Sequence, residues 1–332
     1  MSARRLVFII ASVVVSAVSL YLILRAAPLS DVIERLGSAD PIYLLLALLA
    51  VVMSLFTRAI RWWILLNRRI TLMESFHMIN VMFLGNQLPL RLGEVARGVL
   101  ATRRGVPLVI SGTSIVVERL IDVLTLALVI AATVSMMPTA PAELRDKGLL
   151  FGALSLCGFL TLLFFAHAPA AAQNLLNKLL SAFPPLRRLP LKMMLEHLLD
   201  GLQPLTDIRT LLSTAFWTAL AWAAALTAFF VLHLALGIKV NYLLSALLGI
   251  TLTSLSIAMP VSIAALGPFE VAILATGQTV GMSDHEAIAL GLLLHGVNLI
   301  TYAIFGTIGL LALGASPAMA FGANSETSTE DA

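Results

Sequence analysis

Residues 87–98, QLPLRLGEVARG, interrupt an apolar region with a proline, a glycine and three charged side chains. Pro89 lacks a backbone N–H and restricts the residue before it, so the sequence predicts that an incoming apolar helix ends near Leu88. Gly93 loosens the backbone again, and a second helix is predicted from Glu94, whose carboxylate suits the positive end of a helix dipole. The expected element is therefore a helix, a break and a half-helix.

The sequence allows two placements of this break. Broken backbone at membrane depth is tolerated only against protein or a water-filled cavity. On that placement the break lines a site, and the charges of Arg91, Glu94 and Arg97 face the protein interior. Alternatively, the segment is a short cytoplasmic loop at the membrane interface, in which Glu94 only caps a helix. We favour the first placement.

The composition of the chain indicates an integral membrane protein. Of its 332 residues, 59% are hydrophobic and 12% are charged, and the mean hydropathy is +0.98. Such a length provides about eight crossings or half-crossings at about 20 residues each, with no sizeable domain outside the membrane. The single cysteine, Cys157, excludes a disulfide framework and a thiolate metal site. The net charge of +3 comes from loop arginines and indicates membrane topology, not nucleic-acid binding. We expect no metal, no cofactor and no nucleic-acid partner.

Charge and hydropathy predict the topology. The uncharged run 6–24 is predicted as the first membrane helix, 29–36 as an amphipathic helix on the outer interface, and 41–57 as the return crossing. Further along, 138–147 is predicted as a short outer loop, 211–236 as a crossing toward the outer side, and 283–286 as an outer turn. The predicted inner side holds 14 lysines and arginines and the outer side 5. This bias predicts a plasma-membrane protein with both termini in the cytoplasm. The return crossing is expected to end in an interfacial belt: Arg58, Arg61, Trp62, Trp63, Arg68 and Arg69.

A second broken helix is predicted near the C-terminus. Residues 240–269 carry no formal charge, and Pro260, Gly267 and Pro268 interrupt them before a helix restarts at Glu270. The restarts GEVARGVLATRRGV, from Gly93, and PFEVAILATGQTVG, from Pro268, share Glu-Val-Ala and Leu-Ala-Thr. Chance similarity in an apolar composition is the alternative explanation.

The spacing of polar residues favours a true repeat, since each break is followed by a polar residue in the next full helix. Glu118 lies 24 residues after Glu94, and His295 lies 25 after Glu270. We therefore predict an all-α polytopic membrane protein with two inverted repeats, each containing a re-entrant broken helix, and a site between the breaks. The predicted regions are 1–70, two N-terminal membrane helices with the outer interfacial helix; 71–166, the first re-entrant repeat; 167–210, a cytoplasmic amphipathic linker; 211–315, the second re-entrant repeat; and 316–332, a disordered C-terminal tail.

Charged side chains inside a predicted membrane helix mark the first candidate site. Residues 108–137 carry Glu118, Arg119 and Asp122, and each charge costs about 2.5–3.5 kcal/mol at the centre of a membrane helix. These residues must therefore face the protein interior and pair. Glu118 and Asp122 are four residues apart and share one helical face, and Arg119 lies beside Asp122, three residues away. Together with the charges of the first break they form the predicted headgroup site: Arg91, Glu94, Arg97, Glu118, Arg119 and Asp122.

Two functions of this cluster are open at the sequence level. Arginines in a cavity open to the cytoplasm would bind a phosphate bidentately, and the acids would hold the arginines or carry protons. Alternatively, the cluster is an ion-pair network that only pins the re-entrant loop. A second polar set is predicted to serve the opposite gate or the coupling of transport: Glu270, His295, Asn298 and Tyr302.

Three motifs together resemble the lysylphosphatidylglycerol synthase transmembrane region family, a flippase-like multispan domain. They are Pro-Leu-Arg-Leu-Gly-Glu-x-x-Arg at 89–97, Glu-Arg-x-x-Asp at 118–122 and Gly-Pro-Phe-Glu at 267–270. The resemblance covers about residues 5–315. It implies a lipid-handling domain with two inverted re-entrant halves, which in full-length aminoacyl-phospholipid synthases is tied to moving modified lipid between leaflets. Stand-alone members of the family lie near polyprenyl-sugar and hopanoid pathways. No aminoacyl-transferase domain follows in these 332 residues, so lysyl transfer is not expected.

The predicted function is therefore flippase-like transport of an anionic or modified lipid, of the phospholipid or polyprenyl-phosphate type, between leaflets. The metal, nucleotide and nucleophile motifs HExxH, GxxxxGK[ST] and GxSxG are absent from the sequence, and we expect no enzyme activity. The alternatives are a membrane enzyme acting on a lipid-linked phosphate and a non-catalytic scaffold of a lipid or cell-envelope pathway. The expected partners are membrane lipid, the bilayer itself, and envelope or lipid-biosynthesis enzymes.

Overall fold

The structure is a computed structural model that describes residues 15, 16, 18, 19, 21, 23, 25–88, 92–137, 142–183, 190–258 and 263–321. Every regular element in these ranges is helical, as the sequence predicted. Residues 15–26, where described, are helical, and single 3-10 turns occupy Gln203–Thr206 and Ile263–Ala265. The helices are α1 Leu29–Gly37, α2 Pro41–Leu65, α3 Leu72–Gly85, α4 Gly93–Arg103, α5 Leu108–Met136, α6 Ala142–His167, α7 Pro169–Ala182, α8 Leu191–Leu202, α9 Ile208–Ala235, α10 Tyr242–Ala258, α11 Pro268–Val280, α12 Asp284–Leu313 and α13 Pro317–Phe321.

Several helices are long and apolar enough to cross a bilayer. Within the described residues four segments meet both criteria: Pro41–Leu65, Arg145–His167, Ile208–Ala235 and Asp284–Leu313. The shortest has 23 residues, which at about 1.5 Å per residue exceeds a hydrocarbon core of about 30 Å. Helix α5 is 29 residues long but carries three charges near its middle. The predicted first membrane helix, 6–24, lies mostly outside the described residues.

Helices α3 and α4 form an antiparallel hairpin around the first break. Thr71 and Glu74 make a capping box that starts α3, and Arg104 Nε lies 3.2 Å from Glu74 Oε1 at the base of the hairpin. At the tip, Gly93 packs against the backbone of Met82. The arms of 14 and 11 residues are about 21 and 17 Å long, too short to cross a bilayer. That this hairpin enters from the cytoplasmic side stays a prediction.

The break starts earlier than predicted, because α3 ends at Gly85 and a turn follows to Leu88. The predicted restart at Glu94 agrees with α4, which begins at Gly93. Pro89 and Arg91 lie outside the described residues.

Helices α10 and α11 flank the second break. Pro260 lies outside the described residues, whereas Gly267 has a φ of 92°, which favours glycine, and Pro268 is the first residue of α11. Ala264 and Ala265 also have left-handed φ values, 52° and 58°. Helices α10 and α11 pack against each other as the second hairpin, and we call residues 264–267 the second hairpin tip.

Helix α12 packs against both hairpins through small residues. On α12, Gly306 and Gly309 lie against Leu84 and the carbonyl of His77 in α3, and Gly291 lies against Ile273 in α11. An added methyl group would approach its neighbours to 2.5 Å at Gly306 and 2.7 Å at Gly309, so the missing side chains allow this close packing. One long helix thus holds both hairpins in place.

Segments predicted on one side of the membrane contact each other. Arg35 Nη2 donates to Glu286 Oε1 (2.7 Å) and the Asp40 N–H donates to the Ala235 carbonyl (2.9 Å), and all four residues were predicted on the outer side or at the outer end of a helix. Helix α1, Leu29–Gly37, covers the segment 29–36 that the sequence predicts as an amphipathic helix, and its place at the outer interface stays a prediction.

Three sequence predictions are corrected by the structure. Helix α2 continues to Leu65, so Arg61 and Trp62 are fully buried in the protein and are not interfacial. Helix α6 begins at Ala142, inside a predicted loop. Residue 316 does not begin a disordered tail, because α13 follows and buries Ala320. The predicted tail 324–332 lies outside the described residues.

Candidate functional site

The centre of the site is a buried arginine that joins α2 to α5. Arg61 Nη2 donates to Glu118 Oε1 at 2.5 Å, and Nη1 donates to Asp122 Oδ1 at 2.7 Å. Glu118 and Asp122 are one helical turn apart on α5, so one guanidinium group reaches both. Arg61 and Glu118 are almost completely buried. Each charge is therefore neutralised by a partner and not by water.

A second buried arginine connects the restart after the first break to the same carboxylate. Arg97 Nη1 donates to Glu118 Oε2 (2.6 Å) and Nη2 donates to Glu94 Oε2 (2.7 Å). Its guanidinium carbon lies 4.7 Å from the ring centre of Trp62, whose Nε1 donates to Ser114 Oγ. The first break is thus fixed to α2 and α5 through Glu118.

Two further arginines complete the cluster at its accessible edge. Arg119 Nη2 lies 3.0 Å from Asp122 Oδ2 and Arg119 Nε lies 3.7 Å from Glu94 Oε1, while 48% of its side chain is exposed. Arg58 Nη1 lies 3.9 Å from Asp122 Oδ2. We call these seven residues the charged cluster: Arg58, Arg61, Glu94, Arg97, Glu118, Arg119 and Asp122. Four guanidinium groups against three carboxylates leave one surplus positive charge.

The charged cluster forms one wall of a cavity of about 570 Å³. Arg58, Arg119, Asp122 and Glu94 line this wall, and apolar side chains of α2, α9 and α10 line much of the rest. Both breaks reach the cavity, the first through Asn86 and Gln87 and the second through Ala264 and Ala265. The cavity is therefore bounded by the tips of both hairpins.

Three members of the second predicted polar set line the same cavity: His295, Asn298 and Tyr302. His295 Nδ1 is 2.5 Å from Glu270 Oε1, and His295 Nε2 is 2.9 Å from the Ala264 carbonyl oxygen. Tyr302 donates to Asn298 Oδ1 at 3.3 Å, and its ring stacks on Phe83. The sequence assigned the two sets to opposite gates, whereas the structure brings His295, Asn298 and Tyr302 to the cavity that Arg119 and Asp122 also line.

Most of the predicted site residues are close together, and two residues of the cluster were missed. Glu94, Arg97, Glu118, Arg119 and Asp122 form one network, and Arg91 lies outside the described residues. Arg58 and Arg61 were assigned to an interfacial belt. Their spacing of three residues on an otherwise apolar helix was the available signal, since it places both on one helical face.

Comparison with known protein families shows the family of this chain. A family model for the lysylphosphatidylglycerol synthase TM region matches residues 9–306. The chain belongs to this family. Membership in the lysylphosphatidylglycerol synthase TM-region family, together with the four long apolar helices, makes it a lipid-related membrane protein. No curated protein and no solved structure matches this chain.

Among the residues that the structure describes, no group of three or more His, Cys, Asp and Glu side chains is arranged to hold a metal ion. At the cavity, the described residues offer charge pairing and hydrogen bonding from guanidinium, carboxylate, imidazole, indole, amide and hydroxyl groups.

Proposed function

We propose that this member of the lysylphosphatidylglycerol synthase TM-region family is a flippase-like transporter, not an enzyme, that moves an anionic lipid between membrane leaflets. The observation that carries the proposal is the surplus positive charge at an apolar-lined cavity between two hairpin tips. An anionic headgroup would neutralise that charge inside the protein, and apolar walls would accept the adjoining acyl or prenyl chain.

Arg58 and Arg119 are the residues best placed to bind the headgroup. The guanidinium groups of Arg61 and Arg97 are each held by two carboxylates at 2.5–2.7 Å. Arg58 has its nearest carboxylate at 3.9 Å, and Arg119 is half exposed. These two side chains can therefore turn to a phosphate without breaking the buried core of the cluster.

An unpartnered polar atom of a cavity residue supports a bound headgroup. The Nε1 atom of Trp222 is buried and has no hydrogen-bond partner within the described part of the chain, and Trp222 lines the cavity. Buried polar groups normally have partners, and a phosphate or ester oxygen would accept a hydrogen bond from this indole N–H. The volume, about 570 Å³, lies in the range of small-molecule sites of about 300–1,000 Å³.

The proposed orientation has both termini in the cytoplasm of a plasma-membrane protein. Arg58, Arg61 and Arg97 belong to the charged cluster and do not report on topology. Without these three, the 14 basic residues assigned to the inner side become 11, against 5 on the outer side. The remaining bias has the same sign.

Replacing Arg58 or Arg119 by alanine is expected to reduce lipid exchange by about tenfold or more, since a charge-assisted hydrogen bond contributes about 1.5–3 kcal/mol. The measurement is leaflet exchange of labelled anionic, aminoacylated and polyprenyl-phosphate lipids in liposomes that contain the purified protein. Arg104→Ala is the matched control, because Arg104 is 40% exposed and also pairs with a glutamate, Glu74, but lies at the hairpin base away from the cavity.

Different results would contradict different parts of this proposal. Equal losses in Arg58→Ala and Arg104→Ala would refute binding at the cavity. Chemical conversion of any of these lipids in detergent, where no leaflets exist, would favour a membrane enzyme. A folded protein that exchanges none of them would favour the scaffold.

A further inference from the structure

The Glu270–His295 pair has a hydrogen-bond geometry that requires a shared proton. His295 Nε2 faces the carbonyl oxygen of Ala264, which can only accept, so Nε2 carries a hydrogen. His295 Nδ1 faces Glu270 Oε1 at 2.5 Å, a distance that needs a proton between the two atoms. The pair therefore holds one proton more than a neutral imidazole beside an ionised carboxylate, and its total charge is zero.

The same pair holds the tip of the second hairpin. Glu270 Oε2 accepts from the N–H of Gly267, while His295 binds the carbonyl of Ala264. Between these contacts, Ala264 and Ala265 keep left-handed backbone conformations that are unfavourable for residues with a Cβ atom. Their conformation depends on the contacts that surround them.

We propose that Glu270 and His295 form a proton-binding site and that the bound proton holds the second hairpin tip against the cavity. When the shared proton leaves, the Nδ1–H···Oε1 bond breaks and the proton passes to water in the cavity, which His295 lines. A neutral imidazole with a hydrogen on Nε2 and an ionised carboxylate remain. The Nδ1 lone pair then faces the carboxylate, so the two side chains separate. Because Glu270 binds Gly267 and His295 binds Ala264, this separation pulls the two ends of the tip apart and opens it.

This proposal rests on the proposed function, because it names the proton as the ion that couples to lipid movement. Glu270 is 2% exposed and His295 is 5% exposed, so the cavity supplies the route to water. The other elements around the pair present aliphatic hydroxyl groups, which do not titrate between about pH 6 and about pH 9. They are Thr253 and Ser254 on α10, and Ser16 and Ser19 near Gly267. The titratable groups that share the cavity with His295 are Tyr302 on α12, Arg58 on α2, Glu94 on α4, and Arg119 and Asp122 on α5.

The release of the tip can be measured without lipid transport. Ala265 is 7% exposed and lines the cavity, so Ala265→Cys, made in a Cys157→Ala background, should react with a maleimide only when the tip opens. We compare labelling rates of the full-length protein between about pH 6 and about pH 9, a range on both sides of neutral pH. Glu270→Gln is the reference, because a glutamine keeps both hydrogen bonds without a titratable proton.

The expected result is that the labelling rate rises with pH at least about threefold more with Glu270 present than in the Glu270→Gln variant. An effect of this size corresponds to a modest shift between the closed and the open tip. The Glu270→Gln variant also corrects for ionisation of the thiol itself. Ala59→Cys, a fully buried position on α2, should stay unlabelled and reports global opening. Equal pH dependence in the two proteins, including no labelling in either, would overturn the proton site.

A second measurement separates this inference from the proposed function. In liposomes, a pH gradient should change the initial rate of lipid exchange by the native protein and leave that of Glu270→Gln unchanged. If labelling depends on Glu270 but no lipid is exchanged, the proton site stands and the transport function fails. Lipid exchange with a labelling rate that is independent of Glu270 would show the reverse.

Discussion

Glu118→Ala is expected to lower the free energy of unfolding by about 3–5 kcal/mol, the usual effect of removing one partner from a buried ion pair. Glu118 accepts from both Arg61 and Arg97. Without it, four arginines would face two carboxylates, and the two buried guanidinium groups would each lose their shortest contact. The variant should also loosen the first break, because Arg97 of α4 would lose its ion pair with α5.

The measurement is thermal unfolding of the purified protein in detergent, followed by tryptophan fluorescence and by recovery of the monodisperse protein after heating. Glu143→Ala is the matched control, since Glu143 also accepts from a basic side chain, Lys147 at 2.6 Å, but is 78% exposed. An exposed pair on a helix contributes only a few tenths of a kcal/mol. If the two variants had the same stability, Glu118 would not be the centre of the cluster.

Gly93→Ala is expected to destabilise the first hairpin strongly, at or above the upper end of the range of about 1–3 kcal/mol for overpacked sites. A methyl group at this position would overlap the carbonyl oxygen of Met82 and approach Asn86 Oδ1 to 2.5 Å. The Met82 carbonyl accepts the N–H of Asn86 at the end of α3, so this backbone cannot move away without losing that bond. The tip of the hairpin would have to open.

Gly112→Ala provides the control for this prediction. Gly112 lies within α5, and an added methyl group there meets no atom within 4 Å. Alanine in a helix is favoured over glycine by about 0.8–1.0 kcal/mol, so this variant should be as stable as the native protein or more stable. Apparent melting temperatures in detergent would compare the two. A Gly93→Ala protein that melts with the native one would mean that the arms of the hairpin are not in contact at Gly93.

Arg61 is the residue whose position differs most between the sequence prediction and the structure. Its charge was readable, but an arginine about one turn after an apolar run also fits a helix end at the membrane interface. The carboxylates that bind it lie 57 and 61 residues away. Only the packing of α2 against α5 distinguishes a buried partner from an interfacial residue. The same applies to Trp62, whose indole N–H binds Ser114, 52 residues away.

By itself, the sequence determined the membrane class, the helical architecture, both helix breaks and most members of the charged cluster. These properties follow from composition, from the backbone chemistry of proline and glycine, and from the cost of charge in an apolar helix. Only the tertiary structure decided that Arg58 and Arg61 join the cluster and that both breaks line one cavity. It also placed His295 in contact with Ala264 of the second hairpin tip, which lies 31 residues earlier in the chain. Such contacts depend on which helices pack together, because residues that are distant in the chain meet through the whole fold and leave no local signal in the sequence.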